Sequence, residues 1–154
     1  MTNIIEIICE NLGGTVEVPM GTPLSEVAKR VAPGPYPFLA ALVNNRIKEL
    51  YYKIYTPVTV RFVDITSFAG IRVYQRTSWF ILLDTRPRLY SDLYTLGDTD
   101  GYFYGALAPS TGFVDLFGIE PYYNGFYLAL PLRTAPDRLN TNVEQEKMFG
   151  IFQE

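Results

Sequence analysis

Arg46, Lys48, Lys53 and Arg61, interleaved with Tyr51, Tyr52 and Tyr55, are the residues in this chain best placed by type and spacing to do chemistry. Cations that meet phosphates and aromatic faces that stack on bases are what a single-stranded nucleic acid requires of a protein surface. Glu49 and Asp64 lie close by in sequence and offset that charge. A solvated sheet face, whose tyrosines cover the edge of a core, is therefore the plainer reading of the same residues. A second candidate is the turn Ser110-Thr111-Gly112 with Arg133 as its charge partner. Backbone N–H groups and hydroxyls in a tight turn can hold an anion, although Pro109 and Gly112 serve a simple hairpin turn equally well. Asp98 and Asp100 resemble a cation-binding pair, but hard cations take more oxygen ligands than a pair supplies, so a solvated turn is the plainer reading.

What is missing narrows the chemistry further. Histidine is absent and cysteine occurs once, as Cys9. That leaves no Ser-His-Asp or Cys-His machinery, no His-ligated zinc and no disulfide within the chain. Cys9 sits in the apolar run Ile4–Cys9 and reads as a small core residue. No Gly-Lys pair occurs, so there is no phosphate-cradling loop of the G-x-x-x-x-G-K-[ST] kind; "GALAPSTG" at 105–112 lacks both lysine and spacing. The expectation is a chain with no catalytic residues, no metal and no cofactor of its own.

The elements that must position these residues fall in two halves. The chain has 154 residues, 48% hydrophobic and 19% charged, enough for one ordinary domain or two small ones. Its net charge of −3 divides into +3 over residues 1–88 and −6 over residues 89–154. The start lacks the basic and apolar regions of a secretory signal. No unbroken apolar run, Trp79–Leu83 included, approaches the ~20 residues of a spanning helix. A soluble, cytoplasmic protein with no membrane partner is expected.

In the first half, Ile4–Ile8 reads as a strand, Asn11–Gly14 as a turn and Thr15–Val18 as an alternating partner strand. Thr22 and Pro23 read as N-cap and first residue of a helix carrying Leu24, Val27, Ala28 and Val31 on one face, ended by Pro33-Gly34-Pro35. Short strands at Leu39–Val43 and Arg46–Leu50, turning at Asn44-Asn45, precede a last strand over Val58–Ile65. That order is that of a ubiquitin-like β-grasp domain over residues 1–65.

A helix capped by Ser67 is expected to run to Leu83, and over residues 84–94 Thr85-Arg86-Pro87-Arg88 reads as loop. Tyr102–Leu107, Phe113–Phe117 and Phe126–Leu130 are β-rich, with turns at Ala108–Gly112 and Asn124-Gly125, and Asn142–Gln153 reads as a last helix. The fold class expected is α+β: the β-grasp domain, then over residues 66–154 a helix, an antiparallel aromatic-rich meander and a C-terminal helix.

The stretches "GTPLSEVAKRV", "ALVNNRIKEL" and "VTVRFVDITS" resemble the TGS domain, found at the front of threonyl-tRNA synthetases and of certain GTPases. The resemblance implies an RNA- or small-ligand-binding module, for which residue type and spacing offer Arg46, Lys48, Tyr52, Lys53 and Arg61 as contact residues. In the synthetases a helix follows that carries an HxxxH pair for editing; aligned on Gly70, those positions are Arg76 and Phe80, so the scaffold is shared and the hydrolytic chemistry is not. "FVDITSFAGIRVYQRTSWFILL", "LYTLGDTDGYFYGALAPSTGFVDLFGIEPYYNGFYLALPLR" and "VEQEKMFGIFQE" together resemble the N-terminal region of bacterial uridine (nucleoside) kinase proteins. That resemblance implies a non-catalytic accessory or regulatory fragment, whose partner is an absent kinase domain that would use ATP and Mg²⁺. The family's central segment is also absent, with the join near Leu83–Tyr94. The alternative is a stand-alone TGS-type module that binds RNA or a nucleotide. Met148, Phe149 and Phe152 form an apolar stripe at the very end, which reads as a fragment, natural or engineered. This stripe and the apolar Trp79–Leu83 stretch lead to the expectation of a homo-oligomer.

Overall fold

A computed structural model describes residues 3–32, 34–82, 93–96, 99–102, 105–123 and 125–141. The expected C-terminal helix, the loop before residue 93 and Asp98 lie outside the described residues. The chain divides into two compact units, 1–115 and 116–154.

The first unit is built on a five-stranded mixed sheet. Its strands are β1 (Ile4–Cys9), β2 (Gly14–Pro19), β4 (Ala40–Val43), β5 (Arg46–Lys48) and β7 (Thr59–Val63), in the order β2-β1-β7-β4-β5. β1 runs antiparallel to β2 and parallel to β7, and β4 is antiparallel to both β7 and β5. Alternation along the strands sends Ile7, Cys9, Val18, Ala41, Val43, Val60 and Phe62 to one face, where they meet Leu24, Val27 and Val31. Cys9 is buried there, as its neighbours in sequence imply. The β4–β5 turn falls at Asn44-Asn45, both at positive φ (47° and 61°), the left-handed geometry that a two-residue hairpin loop needs.

Two local expectations are corrected. Thr22 and Pro23 form a two-residue strand, β3, paired with β6 (Lys53–Ile54), and the Thr22 hydroxyl donates to Pro19 O rather than to a helix N–H. Helix α1 (Leu24–Ala28) is instead capped from a distance: Leu24 N–H donates to Tyr52 O at 2.9 Å and Ser25 N–H to Leu50 O at 2.7 Å. A passing segment thus supplies the acceptors that a local side chain was expected to give. The fourth expected strand also stops early, at Lys48, because residues 49–52 turn to serve that helix end.

Helix α2 (Phe68–Leu82) starts where expected. Ser67 Oγ accepts the Gly70 N–H at 2.9 Å and donates to Asp64 O at 2.9 Å. Gly70 admits no side chain, since a Cβ there would fall 1.7 Å from Asp64 O. The buried stripe of α2 is Gly70, Val73, Tyr74, Thr77 and Ser78, so Trp79 stands off it and is 40% exposed in the single chain. Thr77 and Ser78 donate to the carbonyls of Val73 and Tyr74 one turn back.

Beyond α2, the expected single meander is a series of hairpins among the described residues. β8 (Leu93–Leu96) pairs with β9 (Thr99–Tyr102), which places Asp100 in a strand and not in a turn. Phe113–Phe117 is not a strand: a 3₁₀ turn spans Thr111–Phe113, and Ala108–Gly112 therefore closes no hairpin. In the second unit β10 (Gly118–Tyr122) pairs with β11 (Gly125–Ala129), and β12 (Pro131–Leu132) with β13 (Ala135–Leu139). Tyr122 and Gly125 are the last pair, so Gly125 belongs to the strand and not to the expected turn, and Tyr123 takes φ 52°.

Among the described residues no helix is long and apolar enough to cross a membrane.

Candidate functional site

The register of β4, β5 and β7 decides which of the basic residues act together. Residues directly opposite in an antiparallel pair share a face. Arg46 lies opposite Val43 and Lys48 opposite Ala41, so both stand at the rim of the core face. Arg61 lies opposite Leu42, on the other face of the sheet. There its guanidinium meets Glu10 at 3.5 Å, an exposed pair that is worth little energetically.

The segment after β5 brings aromatic surface to the same rim. Lys48 Nζ stands 4.8 Å from the centroid of the Tyr52 ring, a cation–π contact of ~0.5–1 kcal/mol at an exposed site. Lys53 follows on β6 with its side chain exposed, next to the buried Ile54. Tyr55, also exposed, lies 3.5 Å from where a Gly21 side chain would begin. Gly21 takes φ 86° there, so a glycine serves both the turn and the ring beside it.

The two acids expected to dilute this charge have other occupations. Glu49 Oε1 accepts the Leu107 N–H at 3.2 Å. Asp64 Oδ1 accepts from Thr66 N–H at 2.9 Å and from its hydroxyl at 2.6 Å, a local turn before α2. Sequence proximity could not reveal this, because the partner of Glu49 is distant in the chain.

The anion-turn candidate is divided between the units. Ser110, Thr111 and Gly112 belong to the first, where they are exposed and form the 3₁₀ turn. The N–H groups that follow point inward, from Phe113 to Ser110 O and from Val114 to Thr111 O. Arg133 belongs to the second unit, in the turn between β12 and β13. No group of three or more Cys, Asp or Glu residues is gathered as a metal site among the described residues.

Two residues carry structural weight beyond the turn and the helix expected of them. Asn11 grips β7 by its side-chain amide: Phe62 N–H donates to Oδ1 at 2.7 Å, and Nδ2 donates to Phe62 O at 3.3 Å. Thr77 Oγ1 accepts the Ala108 N–H at 2.8 Å, fixing the 105–108 segment onto α2. Arg76, one of the positions matched to the synthetase histidines, lies against the same segment, 2.9 Å from where a Gly105 Cβ would stand.

No family model matches the chain. Over 120 residues, 76% of its length, it is 30% identical to the threonine–tRNA ligase of Chlamydia caviae. The aligned region is 18% of that protein, so the chain spans under a fifth of its relative. The similarity is consistent with a synthetase-like region and lends no support to a nucleoside-kinase parent.

Proposed function

We propose that the chain is an RNA- or nucleotide-binding module of the TGS type, akin to a non-catalytic part of a threonyl-tRNA synthetase and without turnover of its own. Three things support this. The strand order β2-β1-β7-β4-β5, with α1 against one face, supports the β-grasp reading. The similarity to a threonine–tRNA ligase runs over most of the chain. The observation that carries the reading is the rim of β5, where Arg46 and Lys48 share a face and Lys48 covers the Tyr52 ring. Charge and stacking surface together are what a nucleotide-containing ligand uses.

The test is fluorescence anisotropy of labelled tRNA with the purified chain across a salt series. Saturable binding that weakens as salt rises is expected, and Arg46→Glu with Lys48→Glu should remove it. Binding untouched by that double reversal would refute the assignment.

A further inference from the structure

Resting on that reading, we propose that the ligand at the β5 rim is a single RNA strand, with one base stacked on Tyr52 and its phosphates met by Arg46, Lys48 and Lys53. Arg61 takes no part.

The stacking surface is exposed and held in place. The Tyr52 side chain remains accessible, the residue being 39% exposed, while its backbone is tied by Leu24 N–H to Tyr52 O at 2.9 Å and Tyr52 N–H to Glu49 O at 3.0 Å. Ser25 N–H to Leu50 O at 2.7 Å anchors the same segment. A ring on a fixed backbone loses little freedom when a base lands on it. Only an unpaired base has a free face to offer such a ring, because a duplex keeps its bases stacked on one another. The Lys48 ammonium over the ring must swing aside for a base to stack on that face, and its flexible stem keeps it within reach of the phosphate that the nucleotide brings.

The charges are arranged to match. The Glu49 and Asp64 carboxylates each accept a backbone N–H, from Leu107 and from Thr66. Arg61 is on the opposite face and paired with Glu10. Three contributing cations predict a slope of log K against log salt of about −2 for a single strand.

The experiment titrates the full chain into a labelled single-stranded oligoribonucleotide, the same strand annealed to its complement, and a labelled mononucleotide. The single strand should bind tightest. Tyr52→Leu should weaken it on the order of tenfold while Tyr52→Phe keeps it, and Lys48→Ala should flatten the salt slope by about 0.7. Arg61→Ala should change affinity less than about twofold, as expected of a cation that meets no phosphate. Equal affinity for duplex and single strand, full retention by Tyr52→Leu, or a loss at Arg61 equal to that at Lys48 overturns this proposal and leaves the broader reading standing. Binding of the mononucleotide alone overturns it too, in favour of a nucleotide site. Failure of all three probes to bind at low salt removes both.

Discussion

The sheet of the first unit and the paired hairpins of the second put apolar residues to opposite uses. Around the sheet, β1, β2, β4 and β7 send alternate residues into one core shared with α1, and Ile7, Cys9, Val18, Leu24, Val27 and Val60 have no exposed surface at all. In the hairpins the burial is confined to residues such as Leu128, Ala129 and Pro131, while Phe117, Ile119, Tyr123, Phe126 and Leu132 remain open. The cause is the number of layers. Five strands and a helix enclose a volume, whereas short two-stranded hairpins cannot cover both of their own faces. In the second unit Leu139 closes on the Gly118–Ala129 face, with only 3.1 Å left for a Cβ at Gly118. The other face of β10–β11 carries Ile119 and Phe126, which lie two residue pairs apart and point the same way. Aromatic content by itself therefore says little about where a core lies.

The contrast is tested most strongly at Leu24. It is wholly buried and joins the core from α1, whose first N–H groups are held by the 50–52 segment. Leu24→Ala should cost ~2–5 kcal/mol by lost transfer and cavity terms. Urea unfolding monitored by circular dichroism measures it. A cost below ~1 kcal/mol would mean that the sheet core is as shallow as the hairpins.

Legibility follows the same division. Alternation and turn chemistry gave strands β1, β2, β4 and β7 and the Asn44-Asn45 loop, because these depend on neighbours in sequence. The caps show the limit. Ser67 was readable, since its acceptor role toward Gly70 is local; Thr22 was misread, since the acceptors for α1 come from Leu50 and Tyr52. In the hairpins, Asn124-Gly125 is a strong loop signal, yet Gly125 pairs with Tyr122 and belongs to the strand. Neighbouring aromatics on both sides leave the register weakly marked by polarity. Of the site, the residue types were legible and their grouping was not. Only the strand register separates Arg61 from Arg46 and Lys48, and the Leu107 N–H that Glu49 accepts lies 58 residues away.

Asn11 sharpens the comparison at intermediate magnitude. β1 pairs with β7 only through Thr59 and Val60, and by Phe62 the chain has left the sheet in the 3₁₀ turn Glu10–Leu12. The Asn11 amide fills the gap, donating and accepting as a strand backbone would. Asn11→Ala should cost ~1–3 kcal/mol, since it strands the Phe62 N–H and carbonyl together. Faster hydrogen exchange at the Phe62 amide is the specific signature, and unchanged exchange there would show that water replaces the side chain.

The smallest effect is expected at Phe126, and there the hairpins face their own test. The side chain is 51% exposed near the loop end of the β10–β11 ladder, opposite Pro121, on the face whose other end carries the buried Leu128. Because that surface is already in water, removing it forfeits little transfer free energy. Threonine brings a β-branched side chain, which a strand accepts. Phe126→Thr should therefore shift unfolding by less than ~0.5 kcal/mol, the ordinary range for a surface change. Light scattering provides the second readout, since an open apolar face is where copies of a chain meet. Lower self-association with stability unchanged is the expected pair of results. A loss of 2 kcal/mol or more, the scale of a buried aromatic, would mean that Phe126 is covered in solution and that the contrast between the two regions is false.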